Sequence, residues 1–212
     1  MNTQVAEPTT IRAAAFFDGQ NLYYAAKEAF GYKYPNYDPL ALSNLVCGDK
    51  NWTLAQVRFY TGIPDPTDDA LRNRFWTAKL SHMGRQGVRI FTRPLRYRNQ
   101  TVGIRDGVPY TVLVGREKGI DVRIALDVVR LARENAYDVA LIFSQDQDLS
   151  EAADEIRLIA KEQSRWIKAA CAYPVSPAAL NKRGINQTEW IKIERKSYDL
   201  CLDSTDYRPK PL

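Results

Sequence analysis

Acidic residues stand beside apolar runs at three places in this chain. Residues 13–17 and residues 139–143 are apolar runs of strand length, and each is followed by acids. A third acidic segment, residues 117–121, precedes an apolar helical pattern. The acids in these segments are Asp18, Glu117, Asp121, Asp146 and Asp148. If the two strands are parallel neighbours, these acids converge, because functional groups gather outside the carboxyl ends of such strands.

Several carboxylates at one place repel one another and are driven toward protonation unless a positive charge lies among them. A divalent cation with oxygen ligands resolves that conflict, and Mg²⁺ or Mn²⁺ keeps water molecules for a substrate phosphate. The chemistry that this pattern predicts is phosphodiester hydrolysis by a metal-activated water.

Each acid also has a structural interpretation, which the sequence alone leaves open. Asp18 could cap the helix that follows it, and Asp148 with Glu151 has the spacing of a capping box. Asp121, in a first helical turn, would interact favourably with the helix dipole without any metal. Three acidic turns in one chain together favour the metal site.

The elements that must position these acids alternate along the chain. Strands are predicted near residues 13–17, 54–60, 88–91, 138–143 and 167–172, and helices near residues 20–30, 40–45, 68–83, 120–131 and 149–160. This alternation predicts an α/β fold with a mostly parallel central sheet and helices on both faces. Residues 12–195 are expected to form the domain, after a flexible N-terminus (1–11) and before a C-terminal tail (196–212).

The positive charge of the chain is concentrated in one segment. The net charge is +5, and residues 85–130 hold ten Lys or Arg against four Asp or Glu. Within this segment, residues 93–116 are predicted to form a basic β-hairpin, because Asp106-Gly107 is a turn signal before a returning strand. A polyanion such as RNA could dock there, and a solvated basic surface is the alternative. The candidate phosphate contacts are Arg93, Arg96, Arg98 and Arg116.

Several classes of protein are excluded by the remaining composition. Three widely spaced cysteines and a single histidine, His82, argue against a disulfide framework, structural zinc, a Ser-His-Asp triad and a HExxH metalloprotease. Neither GxxxxGK(S/T) nor GxGxxG occurs, so the phosphate cradles of P-loop and dinucleotide-binding enzymes are missing. No apolar run reaches the length of a membrane span. We expect a soluble, cytoplasmic protein without a membrane partner, and a homodimer stays open.

A group of tyrosines follows the first acidic motif. Such side chains on a loop near a basic face could stack on unpaired bases, although half-buried packing is the commoner role. The tyrosines are Tyr23, Tyr24, Tyr32, Tyr34 and Tyr37.

Three motifs, taken in order, resemble a known family. Residues 17–22 read Phe-Asp-Gly-Gln-Asn-Leu, residues 117–122 read Glu-Lys-Gly-Ile-Asp-Val, and residues 144–149 read Ser-Gln-Asp-Gln-Asp-Leu. With this order and spacing, residues 12–172 resemble the NYN domain family, a PIN-like metal-dependent ribonuclease fold that includes the LabA-like bacterial proteins.

The resemblance implies a Rossmann-like or PIN-like three-layer sandwich. It also implies a Mg²⁺ or Mn²⁺ site that cuts RNA, either single-stranded or structured. Asp18, Asp121 and Asp146 match the core acids of the family, and Asp148 matches a further acid. The first three are expected to hold the metal, with Asp148 as a second ligand or as the group that positions water.

Two more positions match the family, and one departs from it. Asn21 matches an Asn near the metal or phosphate, and Lys118 matches a lysine that could neutralise phosphate. Gln145 stands where the family usually has Gly, in a turn where Gly can serve a special backbone angle. The predicted function is a divalent-metal-dependent endoribonuclease. The alternative is a non-catalytic RNA-binding or scaffolding protein of the same fold.

Overall fold

A computed structural model describes residues 5–105 and 108–208 of the chain. The strands are β1 (Arg12–Asp18), β2 (Thr53–Ile63), β3 (Arg89–Pro94), β4 (Arg96–Arg105), β5 (Val108–Arg116), β6 (Val139–Phe143), β7 (Lys168–Pro174) and β8 (Glu189–Ile193). The helices are α1 (Gly19–Phe30), α2 (Pro39–Asp49), α3 (Ala70–Arg85), α4 (Ile120–Arg133), α5 (Ser150–Glu162) and α6 (Arg195–Asp199).

Six of the strands form one sheet, in the order β3-β2-β1-β6-β7-β8, and every neighbouring pair in it is parallel. Strands β1 and β6 lie at its centre, and the chain proceeds from them toward opposite edges of the sheet. A crevice opens between the carboxyl ends of two such strands, and ligands of α/β proteins bind at this position. The predicted α/β fold with a parallel central sheet is confirmed.

Helices cover both faces of this sheet and create two cores. On one face, helices α1, α2 and α3 pack over a core that contains Phe17 and Phe59. On the other face, helices α4 and α5 pack over a core that contains Phe16 and Ile142. Consecutive residues of β1 point to opposite faces, so the strand reads as one apolar run. No helix among the described residues has both the length and the apolar character needed to cross a membrane.

Strands β4 and β5 form a separate antiparallel hairpin, which confirms the predicted basic hairpin but begins at Arg96, since Arg93 belongs to β3 of the main sheet. Arg96 pairs with Arg116 at the end of the hairpin that joins the rest of the chain. The predicted turn at Asp106-Gly107 lies outside the described residues, as do residues 1–4 of the expected flexible N-terminus and residues 209–212 of the expected tail.

The C-terminal part of the chain adds two elements that the sequence did not predict, strand β8 and the five-residue helix α6. Tyr198 of α6 and the following Cys201 are buried in the core that α1, α2 and α3 cover. Further on, Asp203 forms an ion pair with the buried Nζ of Lys79 at 2.8 Å. Three residues of the segment expected to be a tail therefore pack against the domain.

Candidate active site

Asp18 ends strand β1 and begins helix α1. One of its carboxylate oxygens accepts a hydrogen bond from the backbone N–H of Asn21 at 3.0 Å, so Asp18 is the N-cap of the helix. The next residue, Gly19, has no room for a side chain, since a Cβ atom there would lie 2.5 Å from the Phe59 ring. Glycine thus lets the helix start close to strand β2 and fixes Asp18 at the edge of the sheet.

Asp146 follows strand β6 and lies near Asp18 through a shared neighbour. The Ser144 hydroxyl donates to Asp18 at 3.4 Å and accepts from the backbone N–H of Asp146 at 3.1 Å. The Asp146 carboxylate accepts from the N–H of Asp148 at 3.1 Å and so caps a 3-10 turn at residues 147–149. The alternative interpretation of Asp148 and Glu151 as a capping box is wrong, because Asp146 is the capping residue of this turn and α5 begins after Leu149.

Glu117 completes the acidic group; the sequence predicted that it would converge with the other acids but assigned it no role in the site. Its carboxylate accepts a hydrogen bond from the Thr61 hydroxyl at 3.1 Å and another from the backbone N–H of Gly62. These contacts join the end of β5 to the end of β2. The only available signal was the position of Glu117 next to Lys118-Gly119, because its partners are more than fifty residues away in sequence.

Helix α4 brings the fourth acid, Asp121, in its first turn. Gly119 precedes this helix with φ of 75°, a left-handed conformation that glycine adopts without strain. The guanidinium of Arg93 packs over Gly119, where a Cβ atom would lie 3.1 Å from Nη1. The close approach places a positive group beside the turn that carries Lys118 and Asp121.

These four acids line one cavity of about 390 Å³ at the carboxyl edge of the sheet. Asn21 and Lys118 also line it. Asp148 is exposed and is not one of the described residues that form its wall. The structure therefore brings together the predicted ligands Asp18, Asp121 and Asp146, with Glu117 beside them, and leaves Asp148 outside the wall.

The surroundings of the cavity disfavour the ionised form of two of its carboxyl groups, Asp18 and Glu117. Burial raises the pKa of Asp18 to about 7, against the opposing hydrogen bond from Asn21, and the charges of Glu117 and Asp146 raise it further. Burial also raises the pKa of Glu117, although hydrogen bonds from Gly62 and Thr61 act against it. A cation placed among carboxyl groups with raised pKa values would stabilise their ionised form.

The donor set fits a hydrated divalent ion. Within residues 5–105 and 108–208, no three Asp, Glu, His or Cys side chains are arranged so that they could hold a metal ion by themselves. Mg²⁺ usually keeps several water molecules and is bound through one or two carboxylates and a substrate phosphate. Oxygen donors alone, in a cavity that also has space for water, suit Mg²⁺ or Mn²⁺ better than zinc.

Asp127 belongs to a different, structural cluster, although it follows the second motif. Its buried carboxylate accepts hydrogen bonds from Tyr60 at 2.8 Å, Arg123 at 2.8 Å and Arg58 at 3.2 Å. Burial alone would raise its pKa, but these hydrogen bonds and the charges of Arg58 and Arg123 outweigh burial and lower it. This fully compensated carboxylate anchors α4 to β2.

The predicted phosphate contacts lie near the cavity and on the hairpin. Arg96 and Arg98 are two residues apart on β4, so their side chains leave the same face of the hairpin. Arg116 lies opposite Arg96 on β5 and donates to Gln100 at 2.9 Å on that face. Three arginines thus share one side of the hairpin, and Arg93 and Lys118 lie next to the acids.

Gln145 does not adopt the backbone conformation that would require glycine. It is not among the described residues with a positive φ. Its side-chain amide donates to the carbonyl oxygens of Arg183 at 2.8 Å and Asn181 at 3.3 Å. The departure from the family pattern therefore ties the turn after β6 to the loop before β8.

The sequence model of the NYN domain matches residues 12–164, and this range includes all four acids of the cavity. The chain belongs to the NYN domain family. NYN domains have a PIN-like nuclease fold. The parallel sheet of this NYN domain lies between two layers of helices, which is the sandwich arrangement of that fold.

Of two further comparisons with known proteins, one finds a similar protein. The curated proteins contain no significant match to it. Among solved structures, a protein of unknown function from Vibrio parahaemolyticus is similar at 18% sequence identity and a TM-score of 0.52, over 90% of this chain and 98% of the other. At this identity, the similarity extends to the fold alone.

Proposed function

We propose that the protein is a divalent-metal-dependent ribonuclease that hydrolyses phosphodiester bonds of RNA. The observation that carries the proposal is the convergence of Asp18, Glu117, Asp121 and Asp146 on one cavity between β1 and β6. Membership of a nuclease family supports the reaction class and RNA as the substrate.

Asp18, Asp121 and Asp146 would hold Mg²⁺ or Mn²⁺ together with water molecules and the substrate phosphate, with Glu117 beside them. The bound ion would lower the pKa of a water molecule and stabilise the charge that develops on the phosphate. Two of these carboxylates are held in place before any substrate arrives. Asp18 accepts a hydrogen bond from the Asn21 N–H, and Glu117 accepts one from the Thr61 hydroxyl. The rigid placement serves catalysis, since preorganised groups need no rearrangement during the reaction.

Two positive groups beside the acids would bind the RNA phosphates. Lys118 lines the cavity, and Arg93 covers the turn that leads into α4. Arg96, Arg98 and Arg116, on one face of the hairpin, would guide the strand further from the reacting phosphate. Asp148 donates its backbone N–H to the Asp146 carboxylate, and its own exposed carboxylate would act from outside the cavity wall as a second metal ligand or as the group that positions water.

Cleavage of a labelled single-stranded RNA with Mn²⁺ or Mg²⁺ tests the proposal. The wild-type protein should cut, and treatment with EDTA or the substitution Asp146→Asn should abolish cutting while the fold is retained. Asp154→Asn is the matched control, because Asp154 is an exposed acid on helix α5. Tight binding without cutting would favour the non-catalytic RNA-binding alternative, and neither binding nor cutting would overturn both.

A further inference from the structure

A second and larger cavity lies directly beside the acids. Its volume is about 650 Å³, which is within the usual range for pockets that hold small molecules. The start of α1, the end of β2, the first half of α3 and the loop around Tyr34 form its walls. We call it the aromatic groove.

The groove is rich in aromatic side chains. Its aromatic lining consists of Tyr23, Tyr24, Tyr34, Phe75 and Trp76. Tyr24 and Tyr34 are 51% and 50% exposed, so much of each ring can be reached from solvent. By contrast, Tyr37 is fully buried, and Tyr32 stacks on Tyr198 with ring centroids 5.6 Å apart. The structure thus separates the tyrosines after the first motif into packing residues and groove residues.

The charged side chains of the groove are all positive. They are Lys27, Lys33, Arg72 and Arg208, and no described residue in its lining is acidic. Arg208 also lies over the ring of Tyr34, with 6.0 Å between the guanidinium carbon and the ring centroid. Aromatic faces combined with positive charge favour a ligand that has both a flat ring and a phosphate.

The groove is continuous with the acidic cavity. Gln20 and Tyr24 line both spaces. Thr61 and Gly62, which form part of the groove wall, donate the hydrogen bonds that hold Glu117 in the acidic cavity. A chain that passes from one space to the other would therefore meet Tyr24 immediately after leaving the acids.

We infer that the aromatic groove binds an unpaired nucleotide of the RNA strand whose phosphate lies at the acids, with its base stacked on Tyr24. This inference rests on the proposed ribonuclease function and specifies its substrate as a single strand at this position. A base inside a duplex is already stacked on both faces, whereas an unpaired base can offer a face to an aromatic ring. The positive side chains of the groove would contact the phosphates on either side of the base.

The test compares the binding of one short labelled RNA, either single-stranded or annealed into a blunt duplex, in EDTA so that no cutting occurs. Tyr24→Ala should weaken binding of the single strand about tenfold, since a base–aromatic stack contributes on that scale. Tyr24→Phe keeps the ring and should bind like the wild type. Binding of the duplex should be the same for all three proteins.

Two additional variants keep the result interpretable. Tyr34→Ala changes a loop residue of the groove outside the helices and should also weaken single-strand binding, so it replaces Tyr24→Ala if that variant fails to fold. Leu158→Ala removes a similarly exposed apolar side chain from α5 and should have no effect. An abasic site at one position of the strand should lower affinity for the wild type but not for Tyr24→Ala.

The outcomes separate this inference from the proposed function. If the wild type cuts RNA with Mn²⁺ but the groove variants bind the single strand as tightly as it does, the groove inference is wrong and the ribonuclease stands. An equal loss of single-strand and duplex binding would also overturn the inference. A wild type that binds the single strand in a Tyr24-dependent way without cutting would support the groove and contradict the ribonuclease.

Discussion

The side-chain oxygen of Asn21 accepts a hydrogen bond from the backbone N–H of Gln145 at 2.8 Å. The bond connects the first turn of α1, which follows Asp18, to the turn after β6, which carries Asp146. An aspartate at position 21 could accept the same bond, but it would add a negative charge to a cavity in which the pKa of Asp18 is already raised. A neutral amide is therefore suited to hold the two acidic turns together.

Asn21→Ala should loosen the contact between these turns. The Gln145 N–H would lose its partner in a largely buried position, and this should lower the free energy of unfolding by about 1–2 kcal/mol. Cleavage should fall roughly tenfold or more, because small misplacements of reacting groups are costly. Urea unfolding and RNA cleavage measure the two effects. Asn44→Ala, at an exposed position of α2, should change neither, and equal effects of the two substitutions would contradict this role for Asn21.

Gln145→Gly should destabilise the protein without increasing its activity. The substitution removes the hydrogen bonds to the loop carbonyls of Asn181 and Arg183 and adds backbone freedom, at a cost of about 1–2 kcal/mol. Gln187→Gly is the matched control, because Gln187 has φ of 63° and glycine relieves that conformation. Urea unfolding should show a lower free energy of unfolding for Gln145→Gly and no decrease for Gln187→Gly. A gain in cleavage by Gln145→Gly would show instead that glutamine impairs catalysis.

The central strands of the fold could be predicted because burial on both faces leaves a continuous apolar run. Strands β1 and β6 have such runs and were found close to their true bounds. Strand β8 was missed, because it lies at the edge of the sheet, where its residues are alternately more and less exposed and form no continuous apolar run. Helix α6 has only five residues, too few for a helical pattern to show.

The site could be predicted only where an acid directly follows a strand or begins a helix. Asp18, Asp146 and Asp121 have such positions and line the cavity. Glu117 directly follows strand β5 and was expected near the other acids, but its role was not predicted, because the groups that hold it, Thr61 and Gly62, belong to a distant part of the sequence. The aromatic groove likewise depends on Phe75 and Trp76 of α3, whose approach to the tyrosines is a consequence of tertiary packing.

Asp18→Asn should stabilise the metal-free protein more at pH 8 than at pH 5. The pKa of Asp18 is about 7 in the folded protein against an ordinary 3.8, so between these values the folded state holds a proton that the unfolded chain has lost. The contribution of Asp18 to the free energy of unfolding therefore falls as the pH rises from about 3.8 to about 7. Asparagine removes the charge and can still cap α1.

Thermal unfolding in EDTA at pH 5 and pH 8 measures this difference. At pH 8 the variant should melt several degrees higher, since about 1 kcal/mol moves the Tm of a domain of this size by roughly 2–4 °C. At pH 5 the gain should be smaller, because only the lower part of the window between 3.8 and 7 has been crossed at that pH. Asp154→Asn, at an exposed acid, should show no such pH dependence, and a lower Tm for Asp18→Asn at both pH values would indicate that the carboxylate matters only as a cap.

Replacement of Arg96 and Arg98 by Gln should flatten the salt dependence of RNA binding. Both side chains lie on the hairpin face that also carries Arg116. If each neutralises one phosphate of a single strand, the slope of log Kd against log salt should fall by about 1.4, because each contact contributes about 0.7. The double variant Arg157→Gln with Lys161→Gln removes the same charge from exposed positions on α5 and should leave the slope unchanged. An equal reduction in both double variants would mean that net charge, rather than the hairpin, attracts the RNA.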